Sequence, residues 1–326
     1  MTDRVKRWAA PEVSIVVPGR DTADSLPLLL RALSRQTLGR HRFEVIYVDD
    51  ASTDDSVAIA AASQLVKVVE NSSHIGGARA RNRGIEASSG QVVAFVDADT
   101  VPDDTWAEYG LQRCDTGDAE LVAGKIDMLV GQDPTIAALV DASSYLNQEL
   151  YATHGFAASA NLWVRRSVIE TIGGFNESLP YIYGEDEEFC WRAMEAGAKI
   201  AFAPEVRLTH PPRARLRDLT RKSFLLGRSY AARRRISTGT LSGARPVYLD
   251  ARAYVPPRRL RGLRRLATLD YEPTMVELLK VYLVRYLCVQ LASILGDFVG
   301  EYLSKSSKPL GRLPRVAPLR DKRMRG

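Results

Sequence analysis

Cysteine is scarce in this sequence: Cys114, Cys190 and Cys288 are the only three in 326 residues, and no two form a C-x-x-C pair. That spacing excludes a disulfide framework and a structural zinc site, and it predicts a reducing compartment. The first residues, MTDRVKRWAAPEV, contain no apolar core, so no signal peptide is expected. Long apolar runs are also missing. In the apolar segment Thr274–Leu303 the longest uncharged stretch is Tyr286–Gly296, closed by Arg285 and Asp297. A bilayer-spanning helix takes about 20 apolar residues, so no span is predicted. No G-x-G-x-x-G follows the first apolar run, which disfavours a dinucleotide-dependent dehydrogenase. Few aromatic residues lie among the arginines and no nucleic-acid-binding motif is present, so no nucleic-acid partner is expected.

What the sequence does contain is a regular alternation of elements. VSIVVP (Val13–Pro18), FEVIYV (Phe43–Val48), Val66–Val69 and Gln91–Val96 read as short buried strands. Helices are predicted between them: from Asp24 or Ser25 to Gln36, over Asp54–Gln64, and from Gly76-Gly77 onward. That order predicts βαβ units and a mostly parallel α/β sheet flanked by helices. Further on, the sequence predicts a short helix through Cys114, a strand over Glu120–Lys125 and a helix over Pro134–Leu150. An extended stretch over Ala157–Val164, helices over Ser167–Ile172 and Glu185–Ala196, and a strand over Lys199–Phe202 follow. Pro211-Pro212 marks a domain boundary, giving regions 1–212 and 213–326. Net charge is +6, but Arg213–Arg265 holds 16 Lys/Arg against only Asp218 and Asp250. The second region therefore reads as basic and mainly helical, with a poorly ordered Pro- and charge-rich tail from Ser304.

Chemistry concentrates where apolar runs end. VVAFV stops at Asp97-Ala98-Asp99, and FEVIYV stops at Asp49-Asp50. Parallel strands end on one edge, and ligands of open α/β sheets bind there. Asp50, Asp97, Asp99 and the PGRD turn after the first strand therefore face one crevice in this reading. Paired carboxylates at the end of a buried strand repel each other unless a cation joins them, and Mg²⁺ or Mn²⁺ prefers such oxygen ligands. Glu185-Asp186 adds a second acidic pair at a helix start.

In order and spacing, VSIVVPGRD, EVIYVDDASTDDS, GGARARNRGIEASSGQVVAFVDADTVPDDTW, GGFNE and YGEDEEFCWRAMEAG together resemble the inverting, family 2 nucleotide-sugar glycosyltransferases of the GT-A fold. The resemblance runs from Val13 to His210. It implies that Pro18, Arg20 and Asp21 line the nucleotide pocket and that Asp50 accepts a hydrogen bond from the base. Gly77 and Arg81 would flank nucleotide and sugar. Asp97 would position ribose or metal, and Asp99 would ligate Mn²⁺ or Mg²⁺ on the diphosphate. Asp186 matches the general base, with Glu185 supporting it or touching the acceptor. His210 stands where some relatives supply a third metal ligand; as a residue it also reads as the end of a strand. Trp163 reads either as an acceptor contact or as core.

The implied reaction moves one sugar from a nucleotide-diphosphate sugar, UDP first, to an acceptor hydroxyl. The implied setting is assembly of polysaccharide, glycolipid or another cell-envelope glycan. Gly19-Arg20-Asp21 departs from the family's usual aromatic and Asn. The Gln-x-x-Arg-Trp of processive synthases is absent, which predicts single addition. The rival reading is a non-catalytic nucleotide-sugar or glycan-binding module tethered to membrane by its basic tail. The region Arg213–Arg265 and the helix Thr274–Leu303 read as a platform for an anionic membrane surface, or else as a lid or homodimer surface. The expected location is cytoplasmic, peripheral on the inner face of the cell membrane.

Overall fold

The computed structural model describes residues 11–179, 183–236, 246–254 and 271–306. The expectations for the first ten residues, the basic run Pro256–Leu266 and the tail beyond Ser306 lie outside the described residues. Eight strands form one mixed sheet in the order β3-β2-β1-β4-β7-β6-β8-β5. Its left half is parallel: β1 (Val13–Gly19) lies between β2 (Phe43–Asp49) and β4 (Val92–Val96), and β3 (Val66–Glu70) borders β2. Side chains alternate between two cores. Val13, Ile15, Val17, Val45 and Tyr47 face one side, with Leu26, Leu29 and Leu33 of α1 (Leu26–Ser34). Val16, Ile46, Val48, Val93 and Phe95 face the other, against Ala80 and Ile85 of α3 (Gly77–Ala87). Successive residues of a strand point to opposite faces, so strands covered on both sides read as unbroken apolar runs.

The right half departs from the parallel expectation. β7 (Asn161–Arg165) runs antiparallel to both β4 and β6 (Leu121–Met128). Its first residue, Asn161, pairs with the last of β4, Val96, so the chain re-enters the sheet at the edge where the parallel strands end. Composition carries no strand direction, which is why the sequence reading missed it. β8 is longer than expected, Ile200–His210, runs parallel to β6 and ends at the same edge. A short strand β5 (Val101–Pro102) pairs with it. The single helix expected over Pro134–Leu150 is two, α5 (Ile136–Ser144) and α6 (Gln148–Thr153), with Leu146 between them at φ 54.

Trp163 is fully buried, with its ring 4.6 Å from that of Trp106 and its indole N–H 3.3 Å from Asn161 Oδ1. An acceptor cannot reach it, so the acceptor-contact reading is corrected to core. Nothing forces an aromatic in a strand to one face or the other until the helix covering it, α4 (Trp106–Asp115), is in place.

Beyond Pro212 the chain continues into α9 (Leu216–Ile236), and then α10 (Met275–Val284), a π-helical stretch over Arg285–Gln290 and α11 (Leu291–Ser306). Within this run Met275–Tyr302 is long enough, and holds an 18-residue window apolar enough (mean hydropathy 1.6), to cross a membrane by length and composition. This corrects the expectation that no stretch qualifies, because that reading counted only uninterrupted runs. A third core cluster joins α5 (Leu139, Val140) to α9 (Leu219) and α10 (Val281), so the basic region packs on the first region across the Pro-Pro boundary.

Candidate active site

The strand ends converge as the parallel half of the sheet requires. Pro18 and Gly19 at the end of β1, Arg20 and Asp21 just after it, Asp50 after β2, Asp97 and Asp99 after β4 and His210 at the end of β8 all line one cavity of about 440 Å³. That lies within the few-hundred to ~1,000 Å³ range of ligand sites. Gly77 and Arg81 from the start of α3 complete its wall, together with His74 and Arg213.

The two loops at the β1 and β2 ends are tied together. Asp21, at φ 52, accepts from Thr53 N (2.7 Å), and its own N–H donates to Ser52 Oγ (2.9 Å). Arg20 leans on Asp21 at 3.7 Å and stays half exposed. Asp50 is buried and accepts from Ile75 N (2.6 Å) and Gly76 N (2.9 Å), with His74 Nδ1 at 2.7 Å. Asp50 therefore also builds the loop that leads into α3, and one lone pair remains for a ligand.

Arg81 is a strut. Buried among carboxylates, it reaches Glu185 Oε1 at 3.0 Å and Asp97 Oδ1 at 3.3 Å. Glu185, at the first turn of α8 (Glu185–Glu195), is buried. Burial, then the neighbouring Asp186, push it up to about 7 despite Arg81, and its Oε2 has no hydrogen-bond partner among the described residues. Asp186 is partly exposed; its Oδ2 accepts from Ser159 N at 3.2 Å and its Oδ1 from Glu187 N at 2.9 Å. Ser159 comes just before β7, so the antiparallel entry of that strand supplies this contact.

Asp97, Asp99 and His210 offer ligand atoms within 4.8 Å of one another. His210 Nδ1 lies 2.6 Å from the Pro211 carbonyl, which can only accept, so Nδ1 carries a proton. Its other nitrogen, Nε2, then faces Asp99 Oδ1 at 3.5 Å. A lone pair pointing at a carboxylate needs either a proton or a cation between them. A His that donates its far N–H to a carbonyl and turns its near nitrogen to carboxylates is the usual arrangement of a metal-binding His. The donor set of two carboxylates and one imidazole suits a divalent cation. Burial, and then Asp97, raise the Asp99 pKa above the ordinary carboxylate value, while His210 opposes them.

Two basic lining residues escaped the sequence reading. His74 sits in the loop between β3 and α3, with no motif to mark it. Arg213 lies three residues past His210, and following β8 to its end would have found it. Its backbone N–H donates to Asp141 Oδ2 (2.9 Å), and its guanidinium stands 3.5 Å from the same oxygen. Asp141 is fully buried on α5 and also meets Lys222 Nζ of α9 at 3.4 Å. Burial lowers the Arg213 pKa, but Asp141, Asp99 and Asp97 outweigh it, so the guanidinium is held charged toward the crevice.

The family model described as glycosyl transferase family 2 matches residues 14–173. The glycosyltransferase AglE of Haloferax volcanii is 31% identical over 223 residues, covering 67% of this chain and 72% of that protein. Pre-mycofactocin glycosyltransferase of Mycobacterium tuberculosis is 33% identical over 229 residues, 66% of this chain but only 46% of that protein. Among solved structures, the mannosyltransferase PcManGT of Pyrobaculum calidifontis, in complex with GDP-Man and Mn²⁺, superposes with a TM-score of 0.62 at 17% identity. That match covers 91% of this chain and 88% of PcManGT. S. aureus TarS 1-349 in complex with UDP gives 0.51 at 17% identity, over 91% of this chain and 92% of that one.

Proposed function

Because this chain belongs to glycosyl transferase family 2 and is a glycosyltransferase of glycan biosynthesis, we propose that it moves one sugar from a nucleotide-diphosphate sugar to an acceptor hydroxyl, with inversion and with a divalent cation. The observation that carries this reading is the convergence of Asp97, Asp99 and His210 on one crevice, with a partly exposed Asp186 beside the buried Glu185–Arg81–Asp97 strut. Asp186 takes the proton of the acceptor hydroxyl as that oxygen attacks the anomeric carbon. The bond from that carbon to the diphosphate oxygen breaks, and its electron pair leaves with the diphosphate. Arg213 and Arg20 offset the charge that develops there. A cation held by Asp97, Asp99 and His210 would supply Lewis-acid stabilisation of the same leaving group. Arg81 keeps Asp97 and the start of α8 in register. Pro18, Asp21, Asp50 and Gly77 shape the nucleotide end. UDP-sugars are the first donors to try on the family resemblance; the acceptor that Asp50 retains would take a base N–H, which thymine and guanine also offer.

One displacement of this kind needs one base and no nucleophile from the enzyme itself. Release of nucleoside diphosphate from UDP-, GDP- and dTDP-sugars, with a lipid extract as acceptor source, tests the proposal. One donor class is expected to turn over. Asp186→Asn is expected to lower kcat by about 10²–10⁴ with little change in donor KM. Undiminished turnover in Asp186→Asn, or none with any donor, contradicts it. A non-catalytic binding module is the second reading, favoured only by the second outcome together with intact nucleotide binding.

A further inference from the structure

The run Met275–Tyr302 is 28 residues long, yet only 17% of its apolar window is buried in the protein. Its outward stripe follows helical spacing: Met275, Leu279, Leu283, Leu287, Leu295 and Phe298 are 46% to 80% exposed. Soluble monomers rarely leave so long an apolar stripe uncovered.

The acids of this run do not share the stripe. Glu277 is occupied in a capping box with Thr274 and accepts from Tyr271 Oη at 2.7 Å. Asp297 is fully buried; it lies 3.0 Å from Arg234 of α9 and accepts from Val247 N at 2.7 Å. Glu301 meets the same Arg234 at 2.9 Å. The remaining charges of the run are basic: Lys280, exposed, and Arg285. In the sequence, the segment Arg213–Arg265 that precedes this run carries 16 Lys/Arg against two Asp.

Crossing a bilayer is excluded by what the inner face holds. A Cβ on Gly227 would stand 1.9 Å from Ser293 O, and one on Gly296 2.0 Å from Phe224 O, so α9 and α11 touch backbone to backbone. Carrying α11 through a membrane would carry α9 with it, and α9 has seven Lys/Arg between Leu216 and Ile236. Each costs roughly 2.5–3.5 kcal/mol at a bilayer centre. A helix with an apolar outer face, acids already engaged by Thr274, Tyr271 and Arg234, and a basic sequence before it instead fits the plane of an interface.

We propose that the outer face of α10 and α11 docks the enzyme flat on an anionic lipid surface. The corollary that its acceptor is membrane-borne rests on the glycosyltransferase reading above; the docking itself does not. The test is co-sedimentation of the full-length chain with vesicles of phosphatidylcholine alone or mixed with phosphatidylglycerol, at low and high salt. The wild type is expected on the anionic vesicles only, and to be released by salt. The double variant Leu283→Glu/Leu287→Glu, and separately Met275→Glu at the exposed first turn, should bind at least ~10-fold less, since each places a like charge in the apolar face. Their melting temperature should stay within a few degrees of wild type. No vesicle binding by the wild type, equal binding to both vesicle types, or unimpaired binding by both variants overturns the proposal. So does a wild-type dimer in sedimentation velocity that the same substitutions dissolve, because the stripe then belongs to a second copy. None of these readouts depends on turnover, so they stand apart from the catalytic test.

Discussion

Glu185 and Asp186 are chain neighbours with opposite surroundings, and the difference is measurable. Burial holds Glu185 at about 7 against an ordinary 4.5. Between those values the folded protein keeps a proton that the unfolded chain has released, so stability falls as pH rises through that window. Glu185→Gln should flatten this slope, read from denaturant midpoints at a series of pH values. A slope that persists unchanged in the variant refutes the assignment. Trp163 makes the opposite point about legibility. As a residue type in a strand it suited both a contact and a core role, and only packing against Trp106 decides. Trp163→Ala should cost about 3–5 kcal/mol in chemical unfolding. A large effect on acceptor KM with unaltered stability would restore the contact reading.

Among the elements, α5 and α9 matter most for the site, because Asp141 and Lys222 hold Arg213 from behind. Burial pulls Lys222 down to about 8, with Asp141 opposing. Asp141→Asn strands a buried ammonium and should cost about 3–5 kcal/mol. It should also raise donor KM, since the Arg213 loop loses its anchor. Adding Lys222→Met should recover much of the stability but not the donor affinity. Joint recovery of both would reduce Asp141 to a purely structural role. These contacts were illegible in the sequence: Asp141, Arg213 and Lys222 lie up to 81 residues apart, and no local pattern marks them. The strand-end carboxylates were legible because each follows a local apolar run. The direction of β7 and the full length of β8 were not, because both depend on partners distant in the chain.

For the molecule as a whole, one crevice draws residues from Pro18 to Arg213, and so crosses the Pro211-Pro212 division that composition suggests. The basic region is thus part of the site's support on one face, through α9, and bears an exposed apolar stripe on another. In the proposed function the crevice binds a nucleoside diphosphate through a cation at Asp99. The most direct test is the melting temperature of wild type and Asp99→Ala with UDP, GDP or dTDP, each with Mn²⁺ or with EDTA. A ligand that binds only the folded state raises the melting temperature by mass action. A rise is expected with one nucleotide and Mn²⁺, and it should disappear in EDTA and in Asp99→Ala. An equal rise in EDTA, or an undiminished rise in Asp99→Ala, would contradict it.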